Sequence, residues 1–206
     1  MFSDRTDAGR QLAAAVAERG VGADLVLAIP RGGLPVARPV ADALGVPLDV
    51  VVSKKLGAPG NPELAIGAAG SDGSVWRNDD LIDRLGVDED YVSREAETAA
   101  ETAREKAATY RGDRGPPDLD GKRVLVVDDG MATGATVIAA VRLVRAAGAA
   151  HVTVAVPVGA PETVDRVETE ADAVVVLSEP AAFGAVGEHY GSFEQVSDEE
   201  ARALLQ

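Results

Sequence analysis

Short, continuous runs of Val, Leu, Ile and Ala alternate along the chain with longer stretches in which apolar residues recur at helical spacing. Continuous β-branched runs are typical of buried strands, and the spaced apolar positions are typical of amphipathic helices. Several of these stretches end at a glycine, which favours a helix end. The pattern predicts strands at 25–29, 48–52, 64–68, 75–77, 124–127, 151–156 and 173–177, and helices at 8–19, 36–44, 88–110, 137–147 and 161–170.

Strands that alternate with helices predict an α/β fold with a doubly wound parallel sheet. The 206 residues fit one domain, 1–206, and an aromatic content of only 3% leaves Val, Ala and Leu to fill the core. Two segments interrupt the alternation. The Gly/Pro/Asn-rich stretch 57–62 predicts a mobile loop without regular structure, and Gly115-Pro116-Pro117 predicts a hinge.

The formal net charge of −14 argues against nucleic acid as a partner, because the chain repels polyanions and has no basic run interleaved with aromatics. No cysteine is present, so disulfides and thiolate chemistry are excluded. No apolar stretch approaches the ~18 residues that a membrane helix needs, and the first ten residues are polar. We therefore expect a cytoplasmic protein without membrane contacts.

The segment that carries most chemical information follows the strand predicted at 124–127. Asp128 and Asp129 come first, and a loop of small residues then leads into the next helix. Ligands of open α/β sheets bind at the carboxyl ends of strands, and the N–H groups of 132–136 would lie there at a helix N-terminus. Together with the hydroxyls of Thr133 and Thr136 they predict a cradle for one phosphate, which the backbone of Gly134 can approach closely.

Two acids directly before a phosphate cradle repel the anion, so they require another role. A ribose that carries the phosphate resolves the conflict, because its neighbouring hydroxyls donate hydrogen bonds to Asp128 and Asp129. The alternative is an ordinary turn before a capped helix. A Walker-type phosphate loop is excluded, because Ala135 follows Gly134 where that motif requires lysine.

This segment resembles the phosphoribosyl pyrophosphate signature of the type I phosphoribosyltransferases. The resemblance implies that the paired acids hold the ribose hydroxyls and that the loop after them holds the 5′-phosphate. The resemblance covers the whole chain. Through the stretches 2–9, 56–63 and 183–193 the chain is similar to a branch of predicted phosphoribosyltransferases whose acceptor is not securely established. The loop residues to which it assigns substrate binding are Met131, Ala132, Thr133, Gly134, Ala135 and Thr136.

The same resemblance assigns roles to two earlier segments. Arg31, Gly32 and Gly33 follow the first predicted strand, where the family has a loop that binds pyrophosphate; by itself this sequence is more often a plain turn. Lys54 and Lys55 end the next predicted strand, where the family places a basic residue against pyrophosphate, and a solvated strand end is the alternative. The segment 54–75 then corresponds to a flexible flap that excludes water from the reacting cation.

The resemblance implies transfer of the phosphoribosyl group from phosphoribosyl pyrophosphate to a small-molecule acceptor. Mg²⁺ would be held mainly by substrate and water, so no metal ligands are assigned to the protein, and a homodimer is expected. Asp128, Asp129, Lys54 and Arg31 are the candidate catalytic residues. A non-catalytic sensor of the same donor is the alternative.

The acceptor is left open by the sequence. Oxopurine-using relatives have an acid at the position of Ala132, so hypoxanthine and guanine are disfavoured, and the pattern around it looks more like that of adenine phosphoribosyltransferase. A hood is predicted at 178–196, where Phe183 could stack on the acceptor. Anchoring of the hood to the core is the alternative role for that ring, and His189 is not assigned to catalysis.

Overall fold

The computed structural model of the chain describes residues 1–112 and 114–206, with Glu63 described by its backbone alone. The strands are β1 (Leu25–Ala28), β2 (Leu48–Val50), β3 (Ser53–Ala58), β4 (Asn61–Gly70), β5 (Val75–Arg77), β6 (Arg123–Val127), β7 (His151–Val158) and β8 (Ala173–Ser178). The helices are α1 (Arg5–Glu18), α2 (Gly33–Leu44), α3 (Asp79–Leu85), α4 (Glu89–Arg111), α5 (Ala135–Ala146), α6 (Pro161–Glu168) and α7 (Asp198–Leu204).

The central sheet is parallel and has five strands in the order β2-β1-β6-β7-β8. Side chains alternate between its two faces, as strand geometry requires. In β1, Val26 and Ala28 pack in one cluster with α1 and α2, whereas Leu25 and Leu27 pack in a second cluster with α5 and α6. Helices therefore cover both faces, and the predicted α/β fold with a doubly wound parallel sheet is confirmed.

The direction in which successive strands are added to this sheet reverses between β1 and β6, which lie next to each other, so the switch point of the sheet is here. From β1 the chain continues to β2 on one side, and from β6 it continues to β7 and β8 on the other. The loops that leave the carboxyl ends of β1 and β6 diverge at this point, and such a divergence forms the crevice in which open α/β sheets bind ligands. The two loops are 29–33 and 128–134.

The expectation that 57–62 has no regular structure is wrong, and the mobility of this segment stays a prediction. β3 and β4 pair in an antiparallel hairpin that turns at Pro59 and Gly60, and β5 completes a second, three-stranded sheet. Gly60 adopts φ of +74°, which glycine tolerates at such a turn. Pro62 is accommodated because the register shifts on either side of Gly57, whose missing Cβ would lie 2.7 Å from the Pro62 Cα. Lys54 and Lys55 thus belong to β3 and not to the end of β2.

The second sheet packs on α3 and α4 around Leu56, Ile66 and Val92. The carboxyl end of α4 is fastened to the central sheet by Arg111, whose guanidinium is buried. It donates hydrogen bonds to Asp49 Oδ1 at 2.6 Å, to the Val50 carbonyl at 2.6 Å and to Ser71 Oγ at 3.2 Å. One side chain therefore joins α4, β2 and the turn after β4.

The predicted helices are present, with ends that differ by up to three residues from the predicted ones. Two helices were not predicted, α3 and α7, because each is short and its few apolar residues do not form a clear period. Local capping defines both: Asn78 caps α3, and Ser197 with Glu200 forms a reciprocal capping box at α7. Within the described residues, no helix has the length and apolar character that crossing a bilayer requires.

Candidate functional site

Hydrogen bonds to β7 and α6 hold the loop after β6 in place. The Met131 N–H donates to the Val158 carbonyl at 2.9 Å, and the Met131 side chain is buried in the core. Thr163 Oγ1 donates to the Ala132 carbonyl at 2.7 Å, and Arg166 donates to the Thr133 carbonyl. The last two bonds occupy carbonyl groups of the loop, whereas the side chains of Thr133 and Thr136 are exposed.

Gly134 ends the loop with φ of +69°, in the left-handed region, and caps α5. A Cβ at this position would lie 2.6 Å from Thr163 Cγ2, so only glycine fits the tight turn. The first N–H groups of α5, including those of Ala135 and Thr136, have no partner inside the helix. They line a cavity of about 180 Å³ together with 130–134 and Asp128, which is the arrangement that an anion at a helix N-terminus needs.

Asp128 lines this cavity and Asp129 follows it directly, and both residues lie largely buried at the carboxyl end of β6. Asp128 Oδ1 accepts a hydrogen bond from the Asp129 N–H at 2.9 Å. Burial raises the pKa of Asp128 well above its ordinary value, and the charge of Asp129 adds to that rise. Burial also raises the pKa of Asp129, against the opposing effect of Arg5. Hydrogen-bond donors on a ligand would therefore stabilise these two desolvated carboxylates.

The loop after β1 packs directly on the acid pair. A Cβ on Gly32 would lie 2.1 Å from Asp129 Oδ2, and a Cβ on Gly33 would lie 2.7 Å from the Val127 carbonyl oxygen. Glycine at both positions is therefore required by close approach of the two loops. The peptide bond between Pro30 and Arg31 is cis. The structure brings Gly32 and Gly33 together with the predicted ribose site.

The Arg31 side chain binds to the start of α7 in this structure. Its guanidinium donates to Asp198 Oδ1 at 3.2 Å, at the start of α7, and both side chains are partly exposed. An ion pair that is exposed in this way is weak, of order 0–1 kcal/mol, so it leaves the arginine available to an anionic ligand. The role assigned to Arg31 in binding pyrophosphate stays a prediction.

Lys54 and Lys55 line a groove of about 650 Å³ between the antiparallel sheet and α5. Ala135 and Thr136 line both this groove and the smaller phosphate-sized cavity, so the two spaces adjoin. Trp76 lies in the wall of the groove, with the Arg142 guanidinium 4.0 Å from its ring centroid. The two lysines are thus next to the cradle, on a folded hairpin.

Comparison with known proteins identifies the family. The family model for the phosphoribosyl transferase domain matches residues 4–190. A protein of Mycobacterium tuberculosis (strain H37Rv), provisionally named a phosphoribosyl transferase, is 45% identical over 205 residues, which cover 100% of this chain and 46% of that protein. This chain belongs to the phosphoribosyltransferase family. It spans about half the length of the mycobacterial relatives that it matches.

Two further similarities bear on the phosphoribosyltransferase domain. The crystal structure of TT1426 from Thermus thermophilus is similar with a TM-score of 0.89 and 44% identity, and the match covers 100% of this chain and 97% of that one. A uracil phosphoribosyltransferase of Nocardioides sp. is 41% identical over 71 residues, which are 34% of this chain and 33% of that enzyme. The first similarity supports the fold along the whole chain, and the second covers one part of it.

The phosphoribosyltransferase domain also contains site residues that the sequence did not reveal. Arg5, at the start of α1, donates from Nε to Asp129 Oδ2 at 2.8 Å. The Tyr190 hydroxyl donates to the Asp129 carbonyl at 2.5 Å, and burial together with the charge of Asp129 raises the pKa of Tyr190, so the hydroxyl keeps its proton. Both residues lie far from Asp129 along the chain, and no local pattern links them to it.

The segment 178–196, predicted as a hood, lies beside the site. A short 3₁₀ turn at Val186–His189 places Val186 against Gly130, where a Cβ on the glycine would lie 2.7 Å from Val186 Cγ1. Phe183 packs on His189 with ring centroids 5.2 Å apart, at the edge of a cluster formed by Phe2, Val158 and Tyr190. This packing favours the anchoring role for Phe183, and stacking of this ring on an acceptor stays a prediction.

Proposed function

We propose that this chain transfers the 5-phosphoribosyl group from phosphoribosyl pyrophosphate to a nitrogenous base or a related acceptor and releases pyrophosphate. The observation that carries the proposal is the juxtaposition of two carboxylates with the N-terminus of α5 at the switch point of the sheet. One half of this site attracts hydroxyl groups and the other attracts a phosphate. A ribose 5-phosphate moiety satisfies both halves at once.

In this proposal the N–H groups at 132–136 and the hydroxyls of Thr133 and Thr136 hold the 5′-phosphate. Asp128 and Asp129 accept hydrogen bonds from the ribose hydroxyls. The backbone of Gly32 and Gly33 lies beside the acid pair, where it can meet the pyrophosphate, and Arg31 and Lys54 supply positive charge to the leaving group. The bond from C1 to the pyrophosphate oxygen breaks, and a bond from C1 to the acceptor nitrogen forms.

Positioning and electrostatics are the main contributions of the protein to such a reaction. The bond to pyrophosphate breaks early, so positive charge develops on the ribose while negative charge develops on the leaving group. In this arrangement the two aspartates lie near the ribose, and the basic residues of the loop after β1 and of β3 lie near the leaving pyrophosphate. The groove beside Lys54 and Lys55 is then the space over which the hairpin β3–β4 would limit the access of water.

Mg²⁺ belongs to the same proposal. Among the described residues no group of three or more His, Cys, Asp or Glu side chains is close enough to enclose a metal ion. A pair of carboxylates beside a phosphate cradle fits Mg²⁺ that keeps several waters and binds mainly to substrate oxygens. When bound, the ion would neutralise the departing pyrophosphate.

Two observations bear on the class of the acceptor. The partial match to uracil phosphoribosyltransferase supports a nucleobase as the acceptor class, and the small Ala132 beside the phosphate loop disfavours the oxopurines. We therefore propose a nucleobase other than an oxopurine, with uracil and adenine as the first candidates.

A screen with Mg²⁺, phosphoribosyl pyrophosphate and a panel of bases tests the function, with pyrophosphate release as the readout. Turnover with at least one acceptor supports the transferase. Tight binding of the donor without turnover on any acceptor supports the alternative, a regulatory protein that senses the donor. Failure to bind the donor contradicts both.

The double variant Asp128→Asn with Asp129→Asn tests the site itself. It removes both charges that attract the ribose hydroxyls, so the affinity for phosphoribosyl pyrophosphate should fall by at least about tenfold, as expected when charge-assisted hydrogen bonds are lost. Titration calorimetry measures this affinity. Asp42→Asn, on the surface of α2, is the control and should bind like the wild type; an unchanged affinity in the double variant would remove the ribose role.

The family resemblance adds a homodimer and a cytoplasmic location to the proposal. Light scattering after gel filtration measures the first. A mass near twice 21.1 kDa supports the dimer, and a mass near 21.1 kDa contradicts it.

A further inference from the structure

Arg5 makes three different contacts from one guanidinium group. Its Nε donates to Asp129 Oδ2 at 2.8 Å, and its Nη1 donates to the Glu194 carbonyl at 2.6 Å. Its Cζ lies 3.7 Å from the ring centroid of Phe193, which is a cation–π contact. The Arg5 side chain is 12% exposed and that of Asp129 is 15% exposed, so the ion pair is shielded from water.

These contacts join parts of the chain that are far apart in sequence. Arg5 belongs to the first turn of α1, Asp129 follows β6, and Phe193 and Glu194 lie in the hood. The hood reaches the same aspartate a second time, because the Tyr190 hydroxyl donates to the Asp129 carbonyl. The Asp129 carboxylate is thus held from the N-terminal segment while its backbone is held from the hood.

The position of Arg5 also concerns the loop after β1. A Cβ on Gly32 would lie 3.5 Å from Arg5 Nε and 2.1 Å from Asp129 Oδ2, so the glycine backbone passes directly beneath the ion pair. A carboxylate in such tight surroundings needs a fixed orientation, because a rotated Asp129 would collide with the loop. Arg5 binds only the Oδ2 atom, and the second carboxylate oxygen can still accept a hydrogen bond from a ligand.

We infer that Arg5 is a positioning residue for ribose recognition, which fixes the Asp129 carboxylate in the orientation that accepts a sugar hydroxyl. The inference rests on the proposed function, since it assumes that Asp129 binds ribose. Arg5 acts through Asp129 and not on the reacting atoms. Its effect must therefore depend on the hydroxyl groups of the ligand and not on its phosphate.

This dependence separates a positioning role from a purely structural one. In the wild type, ribose 5-phosphate should bind more tightly than 2-deoxyribose 5-phosphate, by about tenfold or more, because a site that is built for a hydroxyl rejects an analogue that lacks it. In Arg5→Gln the carboxylate loses its charged partner, and the ratio of the two affinities should fall towards one. A change that only loosened the fold would weaken both ligands equally and leave the ratio unchanged.

Four variants make the test sharp. Arg5→Lys keeps a cation near Asp129 and should restore part of the preference for ribose 5-phosphate over 2-deoxyribose 5-phosphate. Phe193→Leu removes the aromatic support of the guanidinium and should lower the ratio less than Arg5→Gln. Arg123→Gln breaks an exposed Arg–Asp pair at the opposite end of β6 and should match the wild type. Arg5→Gln combined with Asp129→Asn should show little further loss, because both changes remove the same interaction.

Titration calorimetry with the two sugar phosphates, and with phosphoribosyl pyrophosphate and Mg²⁺, gives the ratios, and thermal unfolding shows that each variant is folded. A wild-type ratio in folded Arg5→Gln overturns the inference and leaves the proposed function intact. A wild type that fails to bind phosphoribosyl pyrophosphate overturns the proposed function and the inference with it. A ratio that falls in Arg5→Gln and partly recovers in Arg5→Lys supports the positioning role.

Discussion

The two adjacent aspartates determine the properties of the site at the scale of single residues. A carboxylate that is desolvated beside another carboxylate is unfavourable unless a ligand or a cation compensates it. Arg5 compensates Asp129 in part, and the pKa of Asp128 remains well above its ordinary value because of burial and the charge of Asp129. The site therefore carries a cost in stability that donor binding would relieve.

Asp128→Asn should stabilise the ligand-free protein at neutral pH. Because folding raises the pKa of Asp128, its contribution to stability is fully present below the unfolded value, near 4, and is lost as the pH rises through the folded value. The amide is neutral throughout, so the variant should gain about 1 kcal/mol or more over the wild type at pH 8. The gain should shrink as the pH falls towards 5.

Chemical denaturation at pH 5 and pH 8 measures this difference. Asp42→Asn is the matched control, because Asp42 lies on the exposed surface of α2 and should show no gain with rising pH. A difference between Asp128→Asn and the wild type that is independent of pH would contradict the raised pKa.

Gly32→Ala should damage the site more than the fold. The new Cβ would lie 2.1 Å from Asp129 Oδ2, so the carboxylate has to move away from Arg5. We expect donor affinity to fall by at least about tenfold, while the free energy of unfolding falls by about 1–2 kcal/mol. Gly115→Ala is the control, since a Cβ there meets no atom within 4 Å. Equal donor affinity in the two variants, by titration calorimetry, would refute the close approach.

At the scale of elements, the hairpin β3–β4 differs most from what the sequence predicts. Its Gly, Pro and Asn residues are typical of a loop, yet Leu56 and Ile66 are fully buried against α3 and α4. Sequence patterns report local preference, and this hairpin is stabilised by packing on helices that follow it in the chain. The strands of the central sheet were predictable because burial on both faces produces continuous apolar runs.

Arg111→Gln tests how α4 is attached to the central sheet. Removal of the guanidinium leaves the buried Asp49 carboxylate without its ion pair, and loss of one partner of a buried pair costs about 3–5 kcal/mol. Denaturant unfolding should show a loss in this range. Arg104→Gln, which breaks an exposed pair with Glu101 on the same helix, should cost at most about 0.5 kcal/mol. Similar losses in the two variants would show that Arg111 does not fasten the helix.

The large negative charge acts on the whole molecule. The net charge is −14, and the excess acidic side chains repel one another more strongly in the compact state than in the unfolded chain. Screening by salt should therefore raise the midpoint of thermal unfolding by a few degrees between about 0.01 M and 0.3 M NaCl, where the Debye length falls from ~30 Å to below ~10 Å. Scanning calorimetry in NaCl and in KCl measures this rise, and a constant or falling midpoint in both salts would contradict it.

The sequence by itself determined the elements whose signal is local: the apolar strands, the amphipathic helices, and the succession of strand, acid pair and glycine turn at 124–136. It also determined the family, because that succession and the close similarity along the chain are properties of the residues alone. Only the tertiary structure brought Arg5 and Tyr190 to Asp129 and Asp198 to Arg31. These contacts join segments more than 60 residues apart, and their geometry arises from the way the sheet and helices pack.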